Sequence, residues 1–310
     1  MSLVFLTILQ ILIAPIASPL CIGIIRKGKA LMQNRRGASV WQPYRDLAKL
    51  MRKDEVIAYD ASWIFRCAPY IVFAATLTAA TAVPVISTLG TFTVIGDILM
   101  VVYILAIGTF FLALAGLDVG TAFGGTGASR EMTMAALAEG AMIAVVIAVV
   151  VVTHSTHITM MSASINGSTP LEISPLVLAF AAFFIVLLCE NARYPFDNPA
   201  THLELTMIHE AMILEYSGKR LALMEWAAAI KLFVFISLAV NLFIPWGIAT
   251  TTGGGTLLIG VAAFAIKALV ILLSIIFIES WMPKLRFFRL PDLLFTAVVM
   301  AVISVVITVF

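Results

Sequence analysis

Long apolar stretches alternate with short polar connections along the whole chain. A helix needs about 20 apolar residues to cross about 30 Å of hydrocarbon. Eight stretches meet that length, roughly 3–25, 67–88, 97–117, 132–153, 174–190, 223–247, 255–281 and 291–310. They predict an all-α integral membrane protein with about eight transmembrane helices in one polytopic domain, 1–310. The first stretch opens Met1-Ser2-Leu3 without a basic start, is long, and shows no small-residue cleavage site, so it reads as a retained span and not a secretory signal.

The connections differ sharply in charge. All but two of the 19 Lys and Arg residues fall in the connections 26–66, 118–131, 191–222 and 282–290, while those around 89–96, 154–173 and 248–254 hold none. Short loops rich in Lys and Arg stay in the cytoplasm. The expected topology has both termini on the outer side of the inner (cytoplasmic) membrane. Composition agrees: 62 % of the 310 residues are apolar, only 12 % are charged, and the mean hydropathy is +1.09. A soluble chain of this size has nowhere to hide so much apolar surface. A cytosolic enzyme, a nucleic-acid binder and a disordered protein are all excluded. Cys21, Cys67 and Cys189 are scattered through or beside apolar runs, as buried small hydrophobes are, and cannot hold an iron–sulfur cluster, which needs about four thiolates. No internal repeat is evident, which weakens a repeat-built transporter.

The basic connections carry the candidate chemistry. From Pro43 the first reads as an amphipathic surface helix, with Tyr44, Leu47, Ala48 and Met51 on one stripe and Arg45, Asp46, Lys49, Arg52 and Lys53 around the rest. Such a helix suits either an anionic lipid surface or a docked partner. Pro195 and Pro199 should end the fifth span and break the loop. Asn198 and Thr201-x-x-Glu204 then offer caps for a new helix whose polar face would carry His202, Thr206, His209 and Glu210. Two turns separate the two histidines, about 10.5 Å, too far to share a metal. Gly218 should stop that segment, and Gly124-Gly125-Thr126-Gly127 should form a flexible turn. His154 and His157 read as surface residues on the opposite face.

An ionisable group inside a span costs at least about 2.5–3.5 kcal/mol and is by default a functional candidate. Glu139, Lys231 and Lys267 lie well inside their spans, whereas Asp118, Glu131 and Glu190 mark span ends. Asp97, Glu225 and Glu279, also at ends, should reach water or cap helices. Glu139, Glu190 and Lys231 share the cytoplasmic half, and a file of such groups is what a proton relay requires.

Five motifs stand in order: Asn34-Arg35-Arg36-Gly37; Gln42-Pro43 with Asp46-x-x-Lys49-Leu50; Gly127-Ala128-Ser129-Arg130-Glu131 followed by Glu139; Glu190-x-x-Arg193-x-Pro195-Phe196-Asp197; and Glu215-Tyr216-Ser217-Gly218. With them the chain resembles the subunit 1 family of the respiratory complex I membrane arm, and within it the hydrogenase branch of formate hydrogenlyase and hydrogenase-4 membrane subunits. The resemblance implies a membrane anchor and proton-coupling subunit joining a peripheral redox module to an ion-translocating arm. The implied proton path is Glu139, Glu190, Arg193, Asp197, Glu204, Glu210, Glu215, Lys231 and Lys267, and the implied docking residues are Arg35, Arg36, Asp46, Lys49 and Arg130. Implied partners are peripheral hydrogenase-like large and small subunits, an iron–sulfur subunit and an antiporter-like membrane subunit. The nickel–iron centre and iron–sulfur clusters would sit in those partners, with no cofactor or metal in this chain.

The chain also departs from quinone-reducing members of that family. It has Ala200 and His202 where they carry acidic residues, a longer stretch from Glu204 to Glu215, and Gly37-Ala38 where Gly-Pro is common. These departures weigh against a quinone. Two alternatives remain: the quinone-site subunit of an NADH:quinone oxidoreductase, and a stand-alone ion-coupled transporter.

Overall fold

The computed structural model describes residues 3–88, 96–169, 173–197, 207–249 and 254–309. Its regular structure is helical: α1 (Leu3–Met32), α2 (Gln42–Met51), α3 (Trp63–Ala82), α4 (Ile98–Asp118), α5 (Ala122–Thr153), α6 (Ile158–Gly167), α7 (Leu176–Glu190), α8 (His209–Ile213), α9 (Gly218–Phe243), α10 (Gly254–Trp281) and α11 (Leu290–Val309). Among the described residues seven helices are long and apolar enough to cross a membrane, and α7 is a shorter apolar helix of 15 residues where the fifth span was expected. The protein is a multi-pass helical membrane protein.

Helix α9 forms the centre, with 83 % of its apolar window buried. It packs on α1, α3, α7 and α10, while α5 joins α4, α7 and α11. Helices α10 and α11 bury only 28 % and 22 % of theirs, so they form the flank that faces lipid or a neighbour. The amphipathic helix α2 lies on the basic face, turning buried Pro43 toward α1 and α9.

Breaks in helices are covered by specific partners. Pro15 and Pro19 both lie within α1. Pro19 has no N–H to give the Pro15 carbonyl. The indole Nε1 of Trp226 on α9 donates to that oxygen instead, at 2.9 Å. At the next residue, the hydroxyl of Tyr44 on α2 donates to Ile16 O. These two contacts fasten α9 and α2 to α1, and the first fills the place left open by Pro19. At the start of α3, Ser62 caps Ile64 N at 3.1 Å, and Asp118 from the end of α4 accepts from Ser62 N at 2.8 Å.

Three local expectations change. Gly124–Gly127 is not a turn: α5 starts at Ala122, ten residues before the expected span, with Thr121 as its N-cap. The glycines serve close packing. A Cβ on Gly127 would stand 2.7 Å from the Ala211 methyl and 2.9 Å from Ile208 O. Glu131 therefore sits inside a helix and not at its end. Second, Gly218 opens α9 at φ +54°, and a Cβ there would meet Asp54 O at 2.7 Å. The glycine lets the 54–56 segment cross the helix start, where Ser217 Oγ accepts from Val56 N at 2.8 Å. Third, the connection after α5, on the side away from the basic face, contains α6. There His154 is exposed, whereas His157 packs on Gly96 with its Nδ1 2.8 Å from Thr159 Oγ1.

Candidate functional site

The short α7 ends in Glu190 at the level where α4, α5 and α9 pass. Its carboxylate Oε2 lies 2.8 Å from Lys231 Nζ on α9, and both side chains are about 85 % buried. Lys231 also donates to Thr109 Oγ1 on α4 at 3.3 Å. A buried pair of this kind holds only when its remaining donors and acceptors are also served.

Two cavities meet at this pair. The larger, about 150 Å³, has Arg26, Asp46 and Glu225 at its more exposed end and Glu131, Glu190 and Lys231 at its buried end. It has room for on the order of ten waters. The smaller, about 20 Å³, lies between Glu139 and Glu190 and is walled by Val102, Leu105, Met142 and Phe235. It has room for about one water. Glu190 and Leu105 line both.

A second cluster holds the loop after α7. Glu279, from the end of α10, has no exposed side-chain surface and lies between two cations: Oε2 is 2.8 Å from Lys29 Nζ on α1, and Oε1 accepts from Arg193 Nη1 at 3.4 Å. It neither snorkels nor caps, contrary to expectation. The reason is that α1 and the 191–197 loop bring both cations to it. Asp97 does cap α4, accepting from Leu99 N at 2.9 Å, and Glu225 is exposed. Asp197 accepts from Lys284 Nζ at 2.6 Å and from His209 N at 3.1 Å. Lys29 also stands 5.0 Å from the Tyr194 ring centroid. Loop 191–197, which includes a cis Tyr194–Pro195 bond, is thereby tied to α1, α10 and α8. Burial holds the His209 imidazole below its ordinary value near 6.5, with Glu210 opposing, so it is neutral at pH 7.

Of the residues singled out in the sequence, Glu139, Glu190, Arg193, Glu210 and Lys231 line one or other cavity. Asp197 belongs to the loop cluster beside them. Glu204 and the capping box Thr201-x-x-Glu204 lie outside the described residues, as do Asn198, Pro199, His202 and Thr206. Glu215 is exposed and does not line the cavity. Lys267 stands apart, donating to Ile244 O at 2.8 Å and Trp246 O at 2.6 Å beyond the end of α9. Among the docking residues, Arg35, Arg36 and Lys49 are exposed. Asp46 is held by Gln42 Nε2 at 2.8 Å and Arg26 at 3.6 Å, and Arg130 Nη1 donates to Met207 O at 3.1 Å. Sequence reasoning missed Thr109, Lys29 and Lys284 and undervalued Glu131 and Glu279. For Glu131 the α5 start was the missing signal; a threonine back-bonded within an apolar helix gives none. Among the described residues no group of three or more His, Cys, Asp or Glu side chains could hold a metal ion.

Taken together, the fold and these buried charges define a polytopic helical membrane subunit with an ionisable centre on its basic face. The chain belongs to the NADH dehydrogenase family, whose profile matches residues 4–310. It is 35 % identical over 287 residues to hydrogenase-4 component C of Escherichia coli (strain K12), covering 92 % of this chain and 89 % of that protein. It is 34 % identical over 279 residues to formate hydrogenlyase subunit 4 of the same organism, covering 90 % of each. A subunit of the NADH-quinone oxidoreductase of Syntrophotalea carbinolica is 31 % identical over 285 residues, covering 86 % of this chain and 82 % of that protein. In fold the chain is similar to one from the membrane-bound sulfane sulfur reductase, an archaeal respiratory membrane complex. That match has a TM-score of 0.85 at 22 % identity, covering 99 % of this chain and all of the other.

Proposed function

We propose that this chain is the membrane anchor and proton-coupling subunit of a complex-I-like nickel–iron hydrogenase of the formate hydrogenlyase type. In this reading it sits in the inner membrane with both termini outside. Its basic face, with exposed Arg35, Arg36 and Lys49, receives the hydrogenase-like large and small subunits and an iron–sulfur subunit, while an antiporter-like membrane subunit packs alongside. The nickel–iron centre and iron–sulfur clusters belong to those partners. The likeness to two hydrogenase-system membrane subunits supports this assignment.

The observation that carries it is that Glu190 lines both cavities while paired to Lys231, with Glu139 on the far side of the smaller one. A proton arriving in the larger cavity passes to Glu190 and, through a water in the smaller, to Glu139. Lys231 supplies the countercharge when Glu190 is ionised. Arg193, Asp197 and Glu210 hold the rim against the loop, and charge changes in a docked partner reach the pair through them. Glu215 and Lys267 carry no step. Moving one charge against 100 mV takes about 2.3 kcal/mol. In this reading redox turnover in the partner supplies it.

The quinone-site alternative draws on the same cavity, whose wall includes apolar Pro19, Ile22 and Leu112, and on the likeness to the NADH-quinone oxidoreductase relative. Carboxylates at both ends of that space favour water over a quinone head. Purification through an affinity tag on this chain separates the readings. Co-purification of a hydrogenase large subunit with four metal-binding cysteines is expected. A large subunit lacking them, with quinone-dependent turnover, would replace this reading by the alternative. Ion flux by the chain alone in liposomes would make it a transporter.

A further inference from the structure

We propose that Thr109 is a positioning residue: its hydroxyl holds Lys231 on Glu190 and so fixes the one carboxylate shared by the two cavities. The inference rests on the proton-coupling reading above and adds to it the residue that sets the pair.

The wall between the cavities is thin. Among the described residues only Leu105 and Glu190 line both, and Thr109 lies one turn from Leu105 on α4. The Thr109 hydroxyl donates to Leu105 O at 3.3 Å, the back-bond a threonine makes inside a helix. Its hydrogen is thereby committed to the backbone, and its lone pairs are left for a donor. Lys231 Nζ takes that position at 3.3 Å while keeping Glu190 at 2.8 Å.

The lysine has a real choice of partner. An ammonium on a four-carbon stem is a mobile point charge with three donors. It is within electrostatic reach of Glu131 and Glu139 from α5, Cys189 and Glu190 from α7, and His209 from α8. Glu131 lines the same cavity as Glu190 and competes for the same cation. Thr109 resolves the competition: an ammonium reaching both its hydroxyl and Glu190 stays at the wall, where a carboxylate must be ionised and correctly turned to hand a proton on. Without the hydroxyl, Lys231 is drawn toward Glu131, and Glu190 loses the partner that orients it.

The test uses the intact membrane complex in inverted vesicles, measuring proton translocation alongside redox turnover across pH. Thr109→Val keeps the shape and removes the oxygen. A hydrogen bond to a charged group is worth enough to predict about a ten-fold loss of coupled translocation and a shift of the pH optimum by about one unit. Thr109→Ser, which keeps the hydroxyl, should restore both to within about two-fold of the parent. Adding Glu131→Gln to Thr109→Val removes the competitor and should recover part of the loss. Should Thr109→Val fail to assemble, Thr109→Ala makes the same test with less bulk. A parent-like rate and pH profile in Thr109→Val, or a Thr109→Ser variant as impaired as valine, would overturn the proposal. Glu139→Gln run in parallel separates the two levels. If it loses coupling while Thr109→Val does not, only the role of Thr109 is wrong; if it too is parent-like, the coupling reading itself falls.

Discussion

The middle of α9 and its far end treat polarity in opposite ways. Toward the basic face, Lys231 meets a carboxylate, and around it Glu131, Glu190 and Glu139 border open space. Toward the other face, buried polar groups turn to backbone. Asn241 Nδ2 donates to Pro84 O and Ser237 O, both at 2.7 Å. Gln10 Nε2 donates to Ser87 O at 2.5 Å, Ser87 Oγ donates to Ala249 O at 2.9 Å, and Lys267 seals the carbonyls of Ile244 and Trp246. These groups hold connecting segments in place and, apart from Lys267, are neutral. The first region is arranged to change its charge, the second to stay as it is. In the proposed coupling, a proton reaching Glu139 leaves sideways into a neighbouring subunit and does not continue along α9.

Four substitutions sharpen or break this contrast. The largest effect is expected from Lys231→Met. Removing one partner of a buried pair costs about 3–5 kcal/mol. The yield of assembled complex should drop sharply, and adding Glu190→Gln should recover part of it. An undiminished yield from the single variant would show that the pair is not buried in the assembly. Next is Glu279→Gln, which strips Lys29 and Arg193 of their shared countercharge and should cost about 3 kcal/mol by the same mechanism. Thermal inactivation of the complex reads this loss. Equal midpoints in variant and parent would mean the 191–197 loop is held by something else.

Lys267→Met on the opposite side removes two donors from a half-buried site, for a loss of about 1–2 kcal/mol with coupling intact. Loss of translocation without loss of stability would move Lys267 back into the path and dissolve the contrast between the two regions. The smallest effect concerns His209. Its folded pKa lies below the unfolded value near 6.5, so the unfolded chain binds more protons in the window beneath 6.5. Stability is full above that pH and falls as the solution is acidified through the window. His209→Gln should flatten this acid slope, measured as the difference in inactivation midpoint between pH 7.5 and pH 5.5. Identical slopes in the two proteins would place the imidazole in contact with solvent.

Much of the architecture could be read in the sequence because a bilayer imposes it. Apolar length and the one-sided distribution of Lys and Arg predicted the helices, the basic face and the surface helix α2. Helix starts were less legible. The glycines at 124 and 127 look like turn residues, and only the presence of Gly116 O beside the first and of Ala211 and Ile208 beside the second explains why the helix needs them. The site was legible where charge stands inside an apolar run, as with Glu139 and Lys231. Where charge sits at the end of a run, sequence cannot tell water from a buried partner. Glu225 and Glu279 look alike in the sequence, yet one is exposed and the other is enclosed by Lys29 and Arg193, nearly ninety positions and more away along the chain. Thr109 matters through what it touches, which no local pattern reports.

The most direct measurement is proton uptake or release by membrane vesicles containing the Glu139→Gln complex, scored against its redox turnover. Electron transfer that continues while translocation disappears is the result expected if the Glu190 pair hands its proton across the smaller cavity. Full translocation at the parent's ratio to turnover would contradict the account, because Glu139 is the carboxylate that faces Glu190 across that cavity.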